Sequence, residues 1–301
     1  MMTMCRRKRP KKPCNNNMTY LSLHNSGKEI LENSGVDEAA LDARLLLEYV
    51  CGTDRNTLLA HPEREVSEDE AALYNRLIEK RAMRIPLQHI TGIQSFMGLD
   101  FKVSPDVLIP RADTEVLVEE VMRELHDGMR LLDMCTGSGC ILISLLKYSN
   151  DCSGTGTDIS EAALKLAEEN ARSIIPEKLE SIRFKQGDIF EALKDDEKYD
   201  IIVCNPPYIE SLVVDSLQPE VKEHDPRIAL TDFGDGLSFY RRIIPGAKKF
   251  LNGGGRLYFE IGYDQGDAVS RLMQENDYMN IEVIKDYGGN DRVVYGIKRS
   301  I

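Results

Sequence analysis

Asn205-Pro206-Pro207-Tyr208 stands directly after the apolar run Tyr199–Cys204. That run has the length and composition of a buried strand. The four residues therefore sit where a sheet opens at its carboxyl end. They suit one task, the handling of a flat group that bears an NH2. Asn205 offers a side-chain carbonyl as acceptor. Pro206 and Pro207 carry no N–H, so the turn presents carbonyls with few competing donors. A residue before proline is held extended, which fixes both Asn205 and Pro206. Tyr208 adds a π face for a planar substrate. A Pro-Pro turn that only closes a strand reads the same way, so the rest of the chain must decide.

A second constellation starts at Leu131-Leu132-Asp133-Met134-Cys135-Thr136-Gly137-Ser138-Gly139-Cys140. It reads as a strand, a Gly-containing turn and a helix start. Gly137 and Gly139 allow close approach of a ligand to backbone N–H groups at a helix amino end. The full G-x-G-x-x-G pattern is missing, and Asp133 ends the strand. A pyrophosphate disfavours that carboxylate, whereas a cationic ligand favours it. Asp158, followed by Ile159, ends the next strand and suits the two hydroxyls of a ribose. Asp188 is placed to accept from an adenine amine, with Ile189 covering the ring; a helix N-cap explains Asp188 equally well. Three acids beside a Gly turn suit S-adenosylmethionine, which carries positive charge and a diol but no phosphate. The predicted cofactor contacts are thus Asp133, Cys135, Thr136, Gly137, Ser138, Gly139, Asp158, Ile159, Asp188, Ile189 and Asn205.

Alternating strands and helices must hold these loops. Strands are read at Arg130–Met134, Gly154–Asp158, Ser181–Gln186, Tyr199–Cys204 and Arg256–Ile261, with helices at Ser138–Tyr148, Glu161–Arg172 and near Leu237–Leu251. Such alternation predicts a parallel sheet covered on both faces. Ile281–Lys285 and Arg292–Ile297 have no helix between them and predict an antiparallel pair at one edge. Upstream, Tyr20 to about Arg84 has helical periodicity. Leu41, Leu45, Leu46 and Tyr49 form one apolar face, Leu73, Leu77 and Ile78 another, and Ser67 with Glu70 makes a capping box. Ile93–Met97 and Leu99–Val103 around Gly98 read as a hairpin joining the two parts.

The 301 residues carry a net charge of −12. Six basic side chains lie within residues 1–12, so the remainder holds 32 basic against 50 acidic groups. So acidic a body is a poor non-specific binder of nucleic acid. Residues 1–17 read as a disordered basic tail, with Met18 an alternative start. The seven cysteines show no C-x-x-C pair or zinc spacing, which fits reduced thiols and the cytoplasm and implies no metal. No apolar run nears the roughly 20 residues of a membrane span. His89, His126 and His224 lie far from the NPPY turn in sequence and read as surface or core residues.

Together these residues resemble the release factor glutamine methyltransferases, the PrmC/HemK family. The resemblance runs from Met18 onward and rests on Pro86-Leu87-Gln88-His89-Ile90-Thr91-Gly92, on Val107-Leu108-Ile109-Pro110-Arg111-Ala112-Asp113-Thr114-Glu115, on Cys135–Gly139, and on Asn205–Tyr208. It implies a class I S-adenosylmethionine-dependent methyltransferase fold, an α/β architecture whose Rossmann-like seven-stranded sheet is mostly parallel with an antiparallel edge. It implies these divisions: a helical substrate-docking domain over 18–90, a hairpin linker over 91–111 and a catalytic domain over 112–301. It further implies methyl transfer to the glutamine of the Gly-Gly-Gln loop of peptide-chain release factors. Asn205, Pro206 and Tyr208 would be catalytic and Pro207 would complete the substrate turn. Two departures stand out: Cys135 where many such enzymes have glycine, and Asp225 where the family usually has Glu before Pro226. Arg111 either pairs with an acid near the pocket or pins the hairpin. An amine methyltransferase of adenine or guanine, a cofactor-binding module without turnover and a nucleotide-linked oxidoreductase are the alternatives.

Overall fold

The computed structural model describes residues 18–300; the basic segment 1–17 and Ile301 lie outside them. The chain divides after Thr91 into two compact units.

The first unit is helical, with α1 (Tyr20–Asn33), α2 (Ala39–Cys51), α3 (Arg55–Ala60), α4 (Glu68–Ala82) and α5 (Leu87–Thr91). Reciprocal capping boxes start α1 at Thr19 and α4 at Ser67, the latter with Glu70. Leu31, Leu46, Leu47, Tyr74 and Ile78 are among the residues that fill its core. The α2 face differs from the one read in the sequence. Leu41 and Tyr49 are exposed, while Asp42, Ala43, Leu46 and Leu47 are buried. Two polar contacts turn the helix this way. Arg81 Nε donates to Asp42 Oδ2 at 2.7 Å, and the Tyr74 hydroxyl donates to the Ala43 carbonyl at 3.2 Å. An alanine there lets the tyrosine ring come close, so a small residue and an ion pair outweigh the leucine periodicity.

The second unit opens with an antiparallel hairpin, β1 (Ile93–Phe96) and β2 (Leu99–Lys102), and with helix α6 (Ala112–Arg123). The main sheet then follows as β3 (Arg130–Met134), β4 (Ser153–Asp158), β5 (Ile182–Gln186), β6 (Tyr199–Cys204), β7 (Leu251–Glu260), β8 (Tyr278–Lys285) and β9 (Asp291–Lys298). Helices α7 (Cys140–Tyr148), α8 (Glu161–Ile174), α9 (Ser211–Val214), α10 (Pro219–His224), α11 (Arg227–Leu230), α12 (Ser238–Phe250) and α13 (Gly266–Glu275) connect them, with a 3-10 turn at Pro176–Ser181. Strand order is β5-β4-β3-β6-β7-β9-β8. Only β9 runs antiparallel to its neighbours, so the reversed strand lies one in from the edge and β8 is outermost.

Alternate residues of each central strand feed opposite cores. Leu131, Ile201 and Val203 face the side covered by α6 and α7, while Leu132, Ile202 and Cys204 face α12 and α13. Strand order reverses between β3 and β6. The loops leaving those strands therefore diverge, opening the crevice where ligands bind in such sheets.

Candidate active site

The crevice is a cavity with an open volume of about 1070 Å³. Its walls come from Asp106–Arg111 before α6, the β3–α7 turn, the ends of β4 and β5, Asn205 and Pro207 after β6, and Pro226–Ala229.

The turn after β3 is shaped by backbone conformations rare for side chains. Cys135, Gly137 and Gly139 all have positive φ (58°, 54° and 79°). Glycine is required at 139, where a Cβ would lie 2.8 Å from Ile143 Cδ1 and 3.1 Å from Ala167 Cβ. Asp158 fixes the turn: its Oδ2 accepts from the Gly137 N–H and its Oδ1 from the Ser160 N–H, each at 2.9 Å. A carboxylate oxygen accepts two hydrogen bonds, so each retains a lone pair for a ligand hydroxyl.

The charged residues on the cavity wall are Asp106, Asp158, Asp188 and Arg111. The Arg111 guanidinium is already bound to Asp225, whose carboxylate is wholly buried. With Arg111 bound to Asp225 and Asp188 to Arg242, Asp106 and Asp158 leave the wall net acidic, suited to a cationic ligand with hydroxyls and poorly suited to a phosphate.

Cys135, Thr136, Gly137, Ser138, Asp158, Ile159, Asp188, Ile189 and Asn205 line this one cavity; Asp133 and Gly139 do not. Asp133 is fully buried beneath the turn, and its Oδ2 accepts from the Thr136 hydroxyl at 2.5 Å. Burial pushes its carboxyl up to about 7. Through that bond it braces the turn from below. Gly139 serves packing of α7 against α8. Asp188 reaches the cavity but shares its Oδ2 with Arg242. Ile189 adopts φ +53° and is buried at the wall.

Of the NPPY turn, Asn205 and Pro207 line the cavity; Pro206 is buried and Tyr208 half-buried outside it. The Asn205 Nδ2 donates to Thr114 Oγ1 at 3.3 Å. The Tyr208 hydroxyl donates to Glu260 Oε1 at 3.2 Å, and its carbonyl accepts from Gln265 Nε2 at 2.9 Å. Gly236, at φ +74°, packs against that carbonyl; a Cβ would come within 2.2 Å of it.

The segment from Arg111 to Glu115 ties these pieces together one residue at a time. Arg111 holds Asp225, Asp113 pairs with Arg292 at 3.1 Å, Thr114 meets Asn205, and Glu115 Oε1 accepts from the Met97 N–H at 2.6 Å. Arg111 thus takes the acid partner, and Glu115 secures the hairpin. Sequence reading missed Thr114 and Glu260 as site residues. The signal for Glu260 was present: it is an acid at the carboxyl end of a parallel strand, as Asp133 and Asp158 are.

A seven-stranded sheet with one reversed strand, a glycine turn after its first strand and an acid closing its second define a class I S-adenosylmethionine-dependent methyltransferase. Residues 125–298 match a methyltransferase domain, and residues 22–92 match the PrmC N-terminal domain. A release factor glutamine methyltransferase of Fusobacterium nucleatum is 43% identical over 92% of this chain and 78% of its own length. One from Caulobacter vibrioides is 37% identical over 94% of this chain and 98% of its own. A solved release factor-specific protein-(glutamine-N5) methyltransferase from Alicyclobacillus acidocaldarius is 32% identical, covers 66% of this chain and 99% of its own, and superposes with a TM-score of 0.39. The chain belongs to the release factor glutamine methyltransferase family.

Proposed function

We propose that this enzyme methylates the side-chain amide nitrogen of the glutamine in the Gly-Gly-Gln loop of peptide-chain release factors, in the cytoplasm. S-adenosylmethionine, when bound, supplies an electrophilic methyl group on a sulfonium. Asp158 would hold its ribose hydroxyls, Asp188 and Ile189 its adenine, and the Cys135–Ser138 turn its amino-acid end.

One observation carries the reading. Asn205 lines the cofactor cavity while its NH2 end is turned toward Thr114, to which it donates one hydrogen, so its Oδ1 is free to be offered to a substrate. An amide nitrogen is a weak nucleophile, so the chain needs geometry more than a base. Asn205 Oδ1 on the cavity wall and the main-chain carbonyl of Pro206, whose ring is buried outside that wall, would accept the two amide hydrogens and aim the nitrogen at the methyl carbon. As the N–C bond forms the S–C bond would break to leave a neutral thioether, and the amide would then give one proton to solvent. Both acceptors strengthen as nitrogen gains positive character, which lowers the barrier more than it stabilises the bound amide. Such positioning supplies up to about 7–11 kcal/mol when the reacting atoms are aligned. Pro207 gives the turn its stiffness, and Tyr208, clamped through its hydroxyl and carbonyl, sets the side of the acceptor slot.

The test is mass spectrometry of a purified release factor after incubation with enzyme and cofactor. One added methyl on the Gly-Gly-Gln glutamine is expected, and Asn205→Ala should abolish it while S-adenosylhomocysteine still binds. Methylation that survives Asn205→Ala at near the normal rate would reject the two-acceptor arrangement.

A further inference from the structure

Behind Asn205 lies a line of buried polar groups whose last member, Glu260, has no part in the steps above. Asn205 Nδ2 reaches Thr114 Oγ1, and Thr114 is 3% exposed. The Thr114 side chain also lies near enough to the Glu260 carboxyl to favour its ionised form, although Glu260 Oε2 makes no hydrogen bond of full geometry. Glu260 is 2% exposed, and Tyr208 binds its other oxygen from the far side of the turn. Both ends of the NPPY turn therefore converge on one carboxylate at the end of β7.

We propose that Glu260 and Thr114 are positioning residues that dictate which half of the Asn205 amide faces the substrate. The argument is one of donors and acceptors and rests on the function proposed above. An ionised carboxylate only accepts. The Thr114 and Tyr208 hydroxyls must then both spend their protons on Glu260. With its proton so used, the Thr114 oxygen is an acceptor toward Asn205 and requires the NH2 there. The Asn205 oxygen is turned into the cavity as a consequence. If the carboxyl takes up a proton, the chain can reverse. Glu260 then donates to Thr114, Thr114 donates to Asn205 Oδ1, and Asn205 presents its NH2 to the substrate. Two NH2 groups would then oppose each other and transfer would stop. The groups facing Glu260 are Arg292, which favours its ionised form, and Asp113, which opposes it, with the Tyr208, Tyr240 and Cys140 protons also near.

The inference is tested with Thr114→Val, Thr114→Ser and Glu260→Gln in the full chain, using a release factor as acceptor. Thr114→Val and Glu260→Gln should lower kcat about 10²-fold, as small misplacements of reacting groups do. The dissociation constant for S-adenosylhomocysteine should hold within threefold, and Thr114→Ser should restore kcat. A packing role alone would depress Tm without the serine rescue. Wild-type kcat should also fall on acidification with one proton, a limb that Glu260→Gln removes. If wild type is active and Asn205→Ala is dead, yet Thr114→Val and Glu260→Gln keep more than a third of kcat, the positioning role is overturned and the function stands. If wild type fails to methylate release factor, the function fails instead. The Asn205 side-chain amide NMR signal then decides separately. A shift that follows one titration in wild type and vanishes in Glu260→Gln supports the relay, and no such shift overturns it.

Discussion

The Arg111 guanidinium donates to Asp225 Oδ2 across 114 positions of chain, joining the segment before α6 to the loop between α10 and α11. Both flank the cavity: Arg111 lines it, and so do Pro226, Ile228 and Ala229, which follow Asp225. The pair is lopsided, for the arginine side chain is 40% exposed and the aspartate side chain not at all. Burial raises the Asp225 carboxyl above its ordinary range, and the Arg111 charge opposes that rise. The other oxygen, Oδ1, makes no hydrogen bond of full geometry, though the Ile109 backbone N–H also favours the ionised carboxyl.

Arg111→Met should therefore be costly, since it leaves a buried carboxyl unpaired. A loss of about 2–3 kcal/mol is expected, below the ~3–5 kcal/mol of a fully buried pair because the arginine is partly solvated. Urea unfolding measures the loss directly. Cofactor binding should weaken with it, as the Pro226–Ala229 wall comes free. A variant as stable as wild type would show that the ion pair does not hold this wall.

The two acids predicted to meet the nucleoside should differ in weight. Asp158 has both oxygens positioned by backbone N–H groups, whereas Asp188 shares one with Arg242. Hydrogen bonds to charged groups contribute roughly 1.5–3 kcal/mol each. Asp158→Ala, losing two of them, should raise the S-adenosylhomocysteine dissociation constant by about 10²-fold or more, and Asp188→Ala by about tenfold. Calorimetry gives both values. An unchanged constant for Asp158→Ala would remove it from the ribose.

What was legible in the sequence follows from how strongly each element is patterned. Strand β6 (Tyr199–Cys204) is a nearly continuous apolar run and β3 carries Leu131, Leu132 and Met134, because both faces of the sheet centre are covered. Strand β4, written Ser153-Gly154-Thr155-Gly156-Thr157-Asp158, and the alternating β5 are legible from their place between helices and from the closing acid of β4. Helix α13 escaped notice because it begins at a glycine and buries only Gly266, Val269 and Met273. The start of β7 is written Leu251-Asn252-Gly253-Gly254-Gly255, which reads as a turn; yet Leu251 pairs with Tyr199 and Arg256 with Ile201 across an irregularity. Short helices α9 to α11 contain too few turns to show a period. At the site, residues that would touch ligand were readable from strand ends. The second layer was not: Thr114 meets Asn205 across 91 positions, and no local spacing encodes that contact. Asp133, read as a cofactor contact, lies buried beneath the turn and off the cavity wall. An acid at a strand end reads alike whether it faces the ligand or the helix behind it.

Glu260 also predicts how stability should vary with pH. Burial, the largest influence, raises its carboxyl from 4.5 to about 7, against the pull of Thr114, Arg292 and Tyr208. The folded chain thus holds a proton on Glu260 that the unfolded chain releases near 4.5. Folding is favoured by that difference below pH 4.5, and the benefit disappears as pH rises through 7. A shift of this size corresponds to about 3 kcal/mol across the interval. Asp133, raised from 3.8 to about 7 by burial, adds a slope of the same sign. The comparison must therefore be between wild type and Glu260→Gln, which keeps shape and removes one titration. The unfolding free energy of wild type should drop by about 3 kcal/mol more than that of Glu260→Gln between pH 4.5 and 7.5, measured by urea titration. Parallel curves for the two proteins would mean that Glu260 is ionised in the folded state throughout, and the acid limb expected in kcat would then have to arise from another group.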